Sequence, residues 1–191
     1  MNRLWLLIFI LLNVARATPA SATEAQNLSC KKYVQSFYDW YMAKCEDTKT
    51  EDPSLLVFKN KSFAFSKELE TKLKEDDSVA ALFPGEIVGL DFDPFLNAQD
   101  VATKYTVEKI TNTAEKFRAD VFNVYNGTKS SKPVVIPELI FQNGKWVFVN
   151  FIYPGASRAE NQNLLSTLDQ IKKNRPPLPK GKTGSSKGAA K

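Results

Sequence analysis

The change from helical to strand-like sequence falls at one segment, Gly89-Leu-Asp-Phe-Asp-Pro-Phe-Leu-Asn-Ala-Gln-Asp100. It carries three carboxylates and two side-chain amides among four large apolar residues, Leu90, Phe92, Phe95 and Leu96. A solvated loop does not hold so many large apolar side chains, so part of this segment is expected to plug a core. We call residues 89–100 the plug segment.

Two interpretations of the plug segment are open. In the first, Asp93 caps the backbone N–H groups of a short helical turn, and Pro94 takes its first position, where the missing N–H costs nothing. In the second, oxygen ligands converge on a hard cation such as calcium. The ligands of that metal site would be Asp91, Asp93, Asn97 and Asp100. An EF-hand loop would have a ligand where Phe95 stands, and its glycine is absent, so the sequence favours the cap and no cofactor is predicted.

The N-terminus has the pattern of an export signal. Arg3 gives a positive start, residues 4–12 form an unbroken apolar run, and Ala20-Ser-Ala22 supplies a small-x-small cleavage site. This run of nine apolar residues is too short to span a hydrocarbon core of ~30 Å. We therefore predict that residues 1–22 are a signal peptide cleaved after Ala22 and that the protein is exported, either to the periplasm or out of the cell.

The remaining chain is predicted to be a single domain, residues 23–173, followed by a disordered basic tail, residues 174–191. Residues 172–191 hold seven Lys and Arg and no acid, whereas residues 23–171 hold 17 Lys and Arg against 21 Asp and Glu. The tail has too few apolar side chains to offset the entropy of ordering. Because the basic charge belongs to the tail, a nucleic-acid-binding face on the domain is not supported. An anionic envelope surface is the contact predicted for the tail.

The first predicted helix carries both cysteines of the chain. Cys30 and Cys45 share one apolar face with Val34, Phe37, Tyr38 and Tyr41, at helical spacings of three and four. In a continuous helix the fifteen-residue separation corresponds to roughly 22 Å. A disulfide requires Cα atoms within about 7 Å, so we predict that these two thiols do not pair with each other.

Two further helices are predicted, one before and one after the strands. Ser66 is the predicted N-cap of a helix over residues 66–75. A C-terminal helix from about Arg158 to Lys173 offers an apolar stripe formed by Leu164, Leu165, Leu168 and Ile171.

Beyond Asp100 the apolar pattern has a period of two. It predicts strands over residues 104–110, 116–125, 134–142 and 145–153, and Asn143-Gly144 is a strong hairpin signal for the last two. That turn predicts a register with four pairs, Phe141–Trp146, Leu139–Phe148, Glu138–Val149 and Pro137–Asn150. Both faces of the hairpin are mostly apolar, so helices are expected over one face and further protein, such as a second copy in a homodimer, over the other.

The predicted fold class is therefore α+β, with N-terminal helices packed on a four-stranded antiparallel sheet and a C-terminal helix. Three segments resemble one bacterial family, namely Val34-Gln-Ser-Phe-Tyr-Asp-Trp-Tyr41, Asp91-Phe-Asp-Pro-Phe-Leu-Asn-Ala-Gln-Asp100 and Gly144-Lys-Trp-Val-Phe-Val-Asn-Phe151. The family is domain-of-unknown-function family 3828, which is similar to the nuclear-transport-factor-2-like, or cystatin-like, superfamily. The resemblance covers about residues 30–172. It implies a cone of helices against a curved sheet and an exported bacterial setting, with no catalytic residues to transfer.

Candidate catalytic groups are few because the chain contains no histidine, the commonest general base and metal ligand. Glu138, flanked by apolar residues, and Asp120 are the acid–base candidates, since burial would raise the pKa of either carboxyl. The alternative for Glu138 is pairing with a Lys or Arg. Candidate ligand-binding residues inside the cone are Tyr38, Tyr41, Phe148 and Asn150.

Three functions are compatible with these patterns. The first is a non-enzymatic cell-envelope domain that binds a small apolar ligand or a protein partner. The second is an isomerase- or dehydratase-like enzyme that uses Glu138 or Asp120 with a tyrosine, and the third is an inhibitor or immunity-type protein. A carboxylate and a tyrosine hydroxyl meeting in one pocket would favour the enzyme. A filled interior would favour binding to a protein.

Overall fold

A computed structural model describes residues 19–47, 52–113, 115–155 and 162–179, with side chains from residue 23 onward. These residues form four helices and six strands, which confirms the predicted α+β class. In chain order they are α1 (Pro19–Cys45), α2 (Pro53–Leu56), β1 (Ala64–Phe65), α3 (Lys67–Ala80), β2 (Lys104–Asn112), β3 (Phe117–Tyr125), β4 (Thr128–Lys129), β5 (Ile136–Gln142), β6 (Lys145–Ile152) and α4 (Leu164–Asn174).

The sheet is open, with the strand order β1-β6-β5-β3-β2 and with β4 beside β3. Strand β1 runs parallel to β6, and all other pairs are antiparallel. The four predicted strands correspond to β2, β3, β5 and β6, but the prediction of only four strands was wrong. The two additional strands, β1 and β4, are two residues long each and are too short to produce an alternating pattern.

The β5–β6 hairpin has the predicted turn. Asn143 and Gly144 both adopt positive φ, at 52° and 74°, as a two-residue hairpin turn requires. Phe141 pairs with Trp146, and Leu139 with Phe148, as predicted.

The rest of the predicted register is wrong, because a bulge interrupts the ladder between Glu138 and Leu139. Glu138 pairs with Asn150 rather than Val149, and Pro137 pairs with Phe151 rather than Asn150. Val149 is the additional residue, and an additional residue moves all later side chains of its strand to the opposite face. Phe151 therefore joins Phe148 in the core, with ring centroids 5.6 Å apart, while Asn150 points to the outer face with Glu138.

The predicted cap of α3 is confirmed. The Ser66 hydroxyl accepts the N–H of Leu69 at 3.2 Å and begins α3, which continues past the predicted end to Ala80. Helix α4 is capped by Asn163, whose side chain and that of Ser166 form a reciprocal capping box. The helix begins at Leu164, so the predicted start near Arg158 is wrong: Asn163 is extended and forms an isolated bridge with Ile152, while residues 156–161 lie outside the described residues. Helix α1 is continuous, and both of its cysteines are free, as predicted.

Aromatic rings fill the space between α1 and the sheet. Phe37 of α1 lies 5.5 Å from Tyr41, 5.7 Å from Phe95 and 4.9 Å from Phe148, measured between ring centroids. Phe95 in turn lies 5.0 Å from Phe151. All five rings are fully buried. The plug segment therefore inserts Phe95 into the core, as its composition predicted.

Side chains of α1 cover the free edge of β2. The Gln35 amide oxygen accepts the N–H of Val107 at 2.8 Å, and its NH₂ group donates to the carbonyl of Tyr105 at 3.1 Å. The Lys31 ammonium donates to the carbonyl of Glu108 at 2.8 Å. An uncovered edge strand is a template for pairing with another chain. Here a side-chain amide takes the place of a neighbouring strand along part of the edge.

The predicted signal peptide lies mostly outside the described residues, and only residues 19–22 are seen, as the start of α1. Export stays a prediction. No helix in the described ranges is long and apolar enough to cross a membrane. Of the predicted tail, residues 174–179 are described, and the Arg175 guanidinium packs against α3. The packed body thus reaches two residues beyond the predicted boundary at residue 173.

Candidate functional site

A surface cleft of about 550 Å³ opens over the plug segment. The end of α1, the start of α2 and Val101 complete its walls. A second hollow of about 240 Å³ shares five lining residues with it and extends to α3. The shared residues are Asp52, Ser54, Leu90, Phe92 and Pro94. We call the two hollows together the plug cleft.

Asp93 is held by three hydrogen bonds at the base of the plug cleft. Its Oδ1 accepts the N–H groups of Phe95 at 2.9 Å and Leu96 at 3.1 Å, so the predicted cap is confirmed. Its Oδ2 accepts the hydroxyl of Tyr41 at 2.6 Å. Burial raises the pKa of Asp93 to about 6, because desolvation outweighs the three hydrogen bonds, which favour the ionised carboxylate.

These contacts do not favour the alternative metal site of Asp91, Asp93, Asn97 and Asp100. Protein donors occupy both oxygens of Asp93, and Asn97 donates its side-chain N–H to the carbonyl of Val134 at 2.9 Å. Asp91 and Asp100 are exposed. Among the described residues, no group of three or more His, Cys, Asp or Glu side chains is placed to hold a metal ion.

The plug cleft is acidic. Asp52, Asp77, Asp91 and Asp93 line it, and among the residues that the structure describes no lysine or arginine does. Within the described part of the chain none of these four carboxylates forms an ion pair, whereas a fifth, Asp76, is paired with Arg175. The pKa of Asp77 is raised by burial first, and then by the neighbouring charges of Asp52 and Asp76. Like charges gathered along one concave surface concentrate a negative potential there.

Two of these carboxylates come from the same local motif. Asp52 precedes Pro53 and accepts the N–H of Ser54 at 2.8 Å, which caps α2. Asp93-Pro94 repeats this arrangement in the plug segment. The sequence patterns did not indicate Asp52 or Asp77, although the Asp-Pro dipeptide was a usable signal for Asp52.

The predicted ligand-binding residues serve the packing of the domain. Tyr38, Tyr41 and Phe148 are fully buried, and the Tyr38 hydroxyl donates to the carbonyl of Phe95 at 3.0 Å. The side-chain oxygen of Asn150 accepts the N–H of Phe151 at 2.9 Å and that of Leu165 at 3.2 Å. None of these four predicted residues lines the plug cleft.

The candidate acid–base residues lie on the outer face of the sheet. The Glu138 side chain is only 4% exposed, and it pairs with Arg118 Nη2 at 2.8 Å and with Lys116 Nζ at 3.3 Å. Pairing with cations was the alternative that the sequence left open for this residue. Asp120 is half-buried, and burial raises its pKa while Lys109 opposes the rise. No hydrogen bond joins either carboxylate to a tyrosine in the described ranges.

Comparison with known proteins gives no relative of this chain. No family model matches it, and no match was found among curated proteins or among solved structures. The resemblance to family 3828 stays a prediction.

Proposed function

We propose that this protein is an exported, non-enzymatic binding module of the cell envelope and that it binds a protein partner through the plug cleft. The observation that carries the proposal is the filled interior. In the cone-like fold that the resemblance implies, a small apolar ligand would sit between the helices and the sheet. That volume is occupied here by the rings of Phe37, Phe95, Phe148 and Phe151, so binding has to use the surface.

The chemistry of the plug cleft supports a cationic segment as the bound group. Leu90, Phe92 and Pro94 provide apolar walls, and Asp52 and Asp91 provide carboxylates that form no ion pair with another described residue. A Lys or Arg side chain matches this combination, because its apolar stem packs against such walls while its charged end meets the carboxylates. The proposed partner therefore presents a basic surface segment. An inhibitor or immunity-type role is the form of this proposal in which the partner is a secreted enzyme.

One observation favours an enzyme instead. Asp93 lines the plug cleft with a pKa of about 6, which suits a general base near neutral pH. Its tyrosine partner weighs against catalysis, because Tyr41 is fully buried and donates its hydroxyl to Asp93 rather than towards the cleft. A substrate in the cleft would meet the carboxylate without the tyrosine. We therefore rank the binding module above the isomerase- or dehydratase-like enzyme.

The experiment is a titration with tetralysine followed by the backbone amide shifts of isotope-labelled protein, at 20 mM and at 500 mM salt. Saturable shifts are expected at Leu90, Asp91 and Gln99, with binding weakened by salt because screening shortens the range of the attraction. Asp91→Lys should weaken binding at least tenfold. The matched control is Glu115→Lys, which reverses another exposed carboxylate near the opposite end of α1.

Two outcomes would contradict the proposal. One is a set of shifts that avoids residues 90–99, and the other is equal weakening by Asp91→Lys and Glu115→Lys. Tetraglutamate, used under the same conditions, should produce no saturable shifts at these residues.

A further inference from the structure

One buried carboxylate connects the C-terminal end of α4 to the wall of the plug cleft. Asp76 Oδ1 accepts a hydrogen bond from Arg175 Nη2 at 2.6 Å, and Asp76 Oδ2 accepts the backbone N–H of Leu90 at 2.9 Å. The side chain of Arg175 is only 10% exposed, and its Nη1 also lies 3.5 Å from Glu75. Leu90 lines both hollows of the cleft. The contacts thus run from Arg175 through Asp76 to the cleft wall.

The backbone at the start of the plug segment is shaped for this contact. A Cβ atom on Gly89 would lie 2.8 Å from Asp76 Oδ2, closer than side chains pack, and in a tight contact 3.1 Å from the Cβ of Ala80. Glycine therefore permits the approach of the Leu90 amide to Asp76. The preceding connection, residues 81–88, forms turns with local hydrogen bonds, and its Ile87 is 82% exposed. The Asp76–Leu90 hydrogen bond joins the start of the plug segment to α3.

We propose that Arg175 is a positioning residue for the plug cleft, which sets the place of the Leu90–Phe92 wall through Asp76. A buried carboxylate that loses its cation is left as an uncompensated charge and turns towards water. That rotation lengthens and misaligns its hydrogen bond with Leu90. The cleft wall then loses its hydrogen bond to α3.

Charge and position predict opposite effects of removing Arg175, which makes the proposal testable. Arg175 is a cation next to an acidic cleft, so its loss would by electrostatics alone strengthen the binding of tetralysine. If Arg175 positions the wall, its loss weakens that binding although the cleft has become more negative. The tetralysine measurement rests on the proposed function, whereas the hydrogen-exchange rate of the Leu90 amide reports the position of the cleft wall without any ligand.

The experiment compares the full chain with Arg175→Gln, Arg175→Lys and the double variant Asp76→Asn with Arg175→Gln. Arg175→Gln is expected to raise hydrogen exchange at the Leu90 amide at least tenfold and to weaken tetralysine binding at least threefold. The double variant should restore both, because an amide at position 76 accepts from Leu90 and donates to the amide at position 175 without needing a cation. The amide of Phe148 in β6 is the control for the fold and should keep its exchange rate.

Arg175→Lys keeps the charge but loses the planar fork of the guanidinium, so it should fall between the wild type and Arg175→Gln. It also tests the proposal if Arg175→Gln does not fold. Unchanged exchange at Leu90, or tighter tetralysine binding to a folded Arg175→Gln protein, would overturn the proposal. If tetralysine binds no form of the protein but Leu90 exchange responds as described, the positioning stands and the proposed function fails.

Discussion

Replacing Asp93 with Asn should change how the stability of the protein depends on pH. The ordinary pKa of this carboxyl is 3.8, and burial raises it to about 6 in the folded protein. Between these two values the folded chain holds a proton that the unfolded chain has released. Folding is therefore favoured by Asp93 below pH 3.8, and this contribution is lost as pH rises through about 6.

The size of the effect follows from the two pKa values. A difference of about two pH units corresponds to ~3 kcal/mol of unfolding free energy between the protonated and ionised states. Part of Asp93 remains accessible from the cleft, so solvent screening makes this an upper value. In Asp93→Asn the side-chain oxygen can still accept the N–H groups of Phe95 and Leu96, and no charge has to be buried. Between pH 4 and pH 7 the unfolding free energy of the variant should rise by up to ~3 kcal/mol relative to that of the wild type.

The assay is urea unfolding of both proteins at several pH values between 4 and 7, at constant ionic strength. The difference between the two curves removes the titration of all other carboxylates that the proteins share. Tyr41→Phe is the second variant. The Tyr41 hydrogen bond favours the ionised form of Asp93, so its loss should raise the pKa of Asp93 and move the pH range of the stability change upward. A difference between wild type and Asp93→Asn that is constant across this range would refute the reasoning.

Three further outcomes are expected. A chain ending at residue 179 should unfold with the wild-type free energy, whereas one ending at residue 174 should lose ~3 kcal/mol, because Asp76 is left buried without Arg175; equal unfolding midpoints in urea would contradict this. Denatured, unreduced protein should label two thiols per chain, and native protein at pH 8 should label slowly, because burial raises the pKa of Cys30 and of Cys45 to about 12; rapid native labelling in a mass-spectrometric time course would count against it. The intact mass of the exported protein should begin at Thr23, and a mass that includes residues 1–22 would defeat the predicted cleavage.

The features that the sequence predicted are local in the chain. Asn143 and Gly144 themselves adopt the positive φ values that their turn requires. Ser66 and Asp93 cap N–H groups only two or three residues away. Their partners are close in sequence, so residue type and spacing were enough to find them. Phe95 was expected in the core for a similar reason, because large apolar side chains are rarely left in water.

The features that escaped prediction depend on contacts between distant residues. Asp76 and Arg175 are 99 positions apart, and nothing near either residue indicates the other. The bulge at Val149 adds a residue without disturbing the apolar composition of β6, so the alternating pattern looked regular on both sides of it. Asp52 and Asp77 reach the cleft only because α2 and α3 pack beside the plug segment.

The contact between Gln35 and β2 protects the edge of β2 early, because of the order in which the chain is synthesised. Gln35 precedes its two backbone partners by 70 and 72 positions, so it leaves the ribosome well before Tyr105 and Val107. Since an uncovered edge strand can pair with a neighbouring chain, the interval between its synthesis and its protection is a risk for a nascent protein. Here the protecting side chain already exists when the edge appears. The side chain that protects this stretch of the edge belongs to a segment made before it, so the docking of α1 is the step that remains.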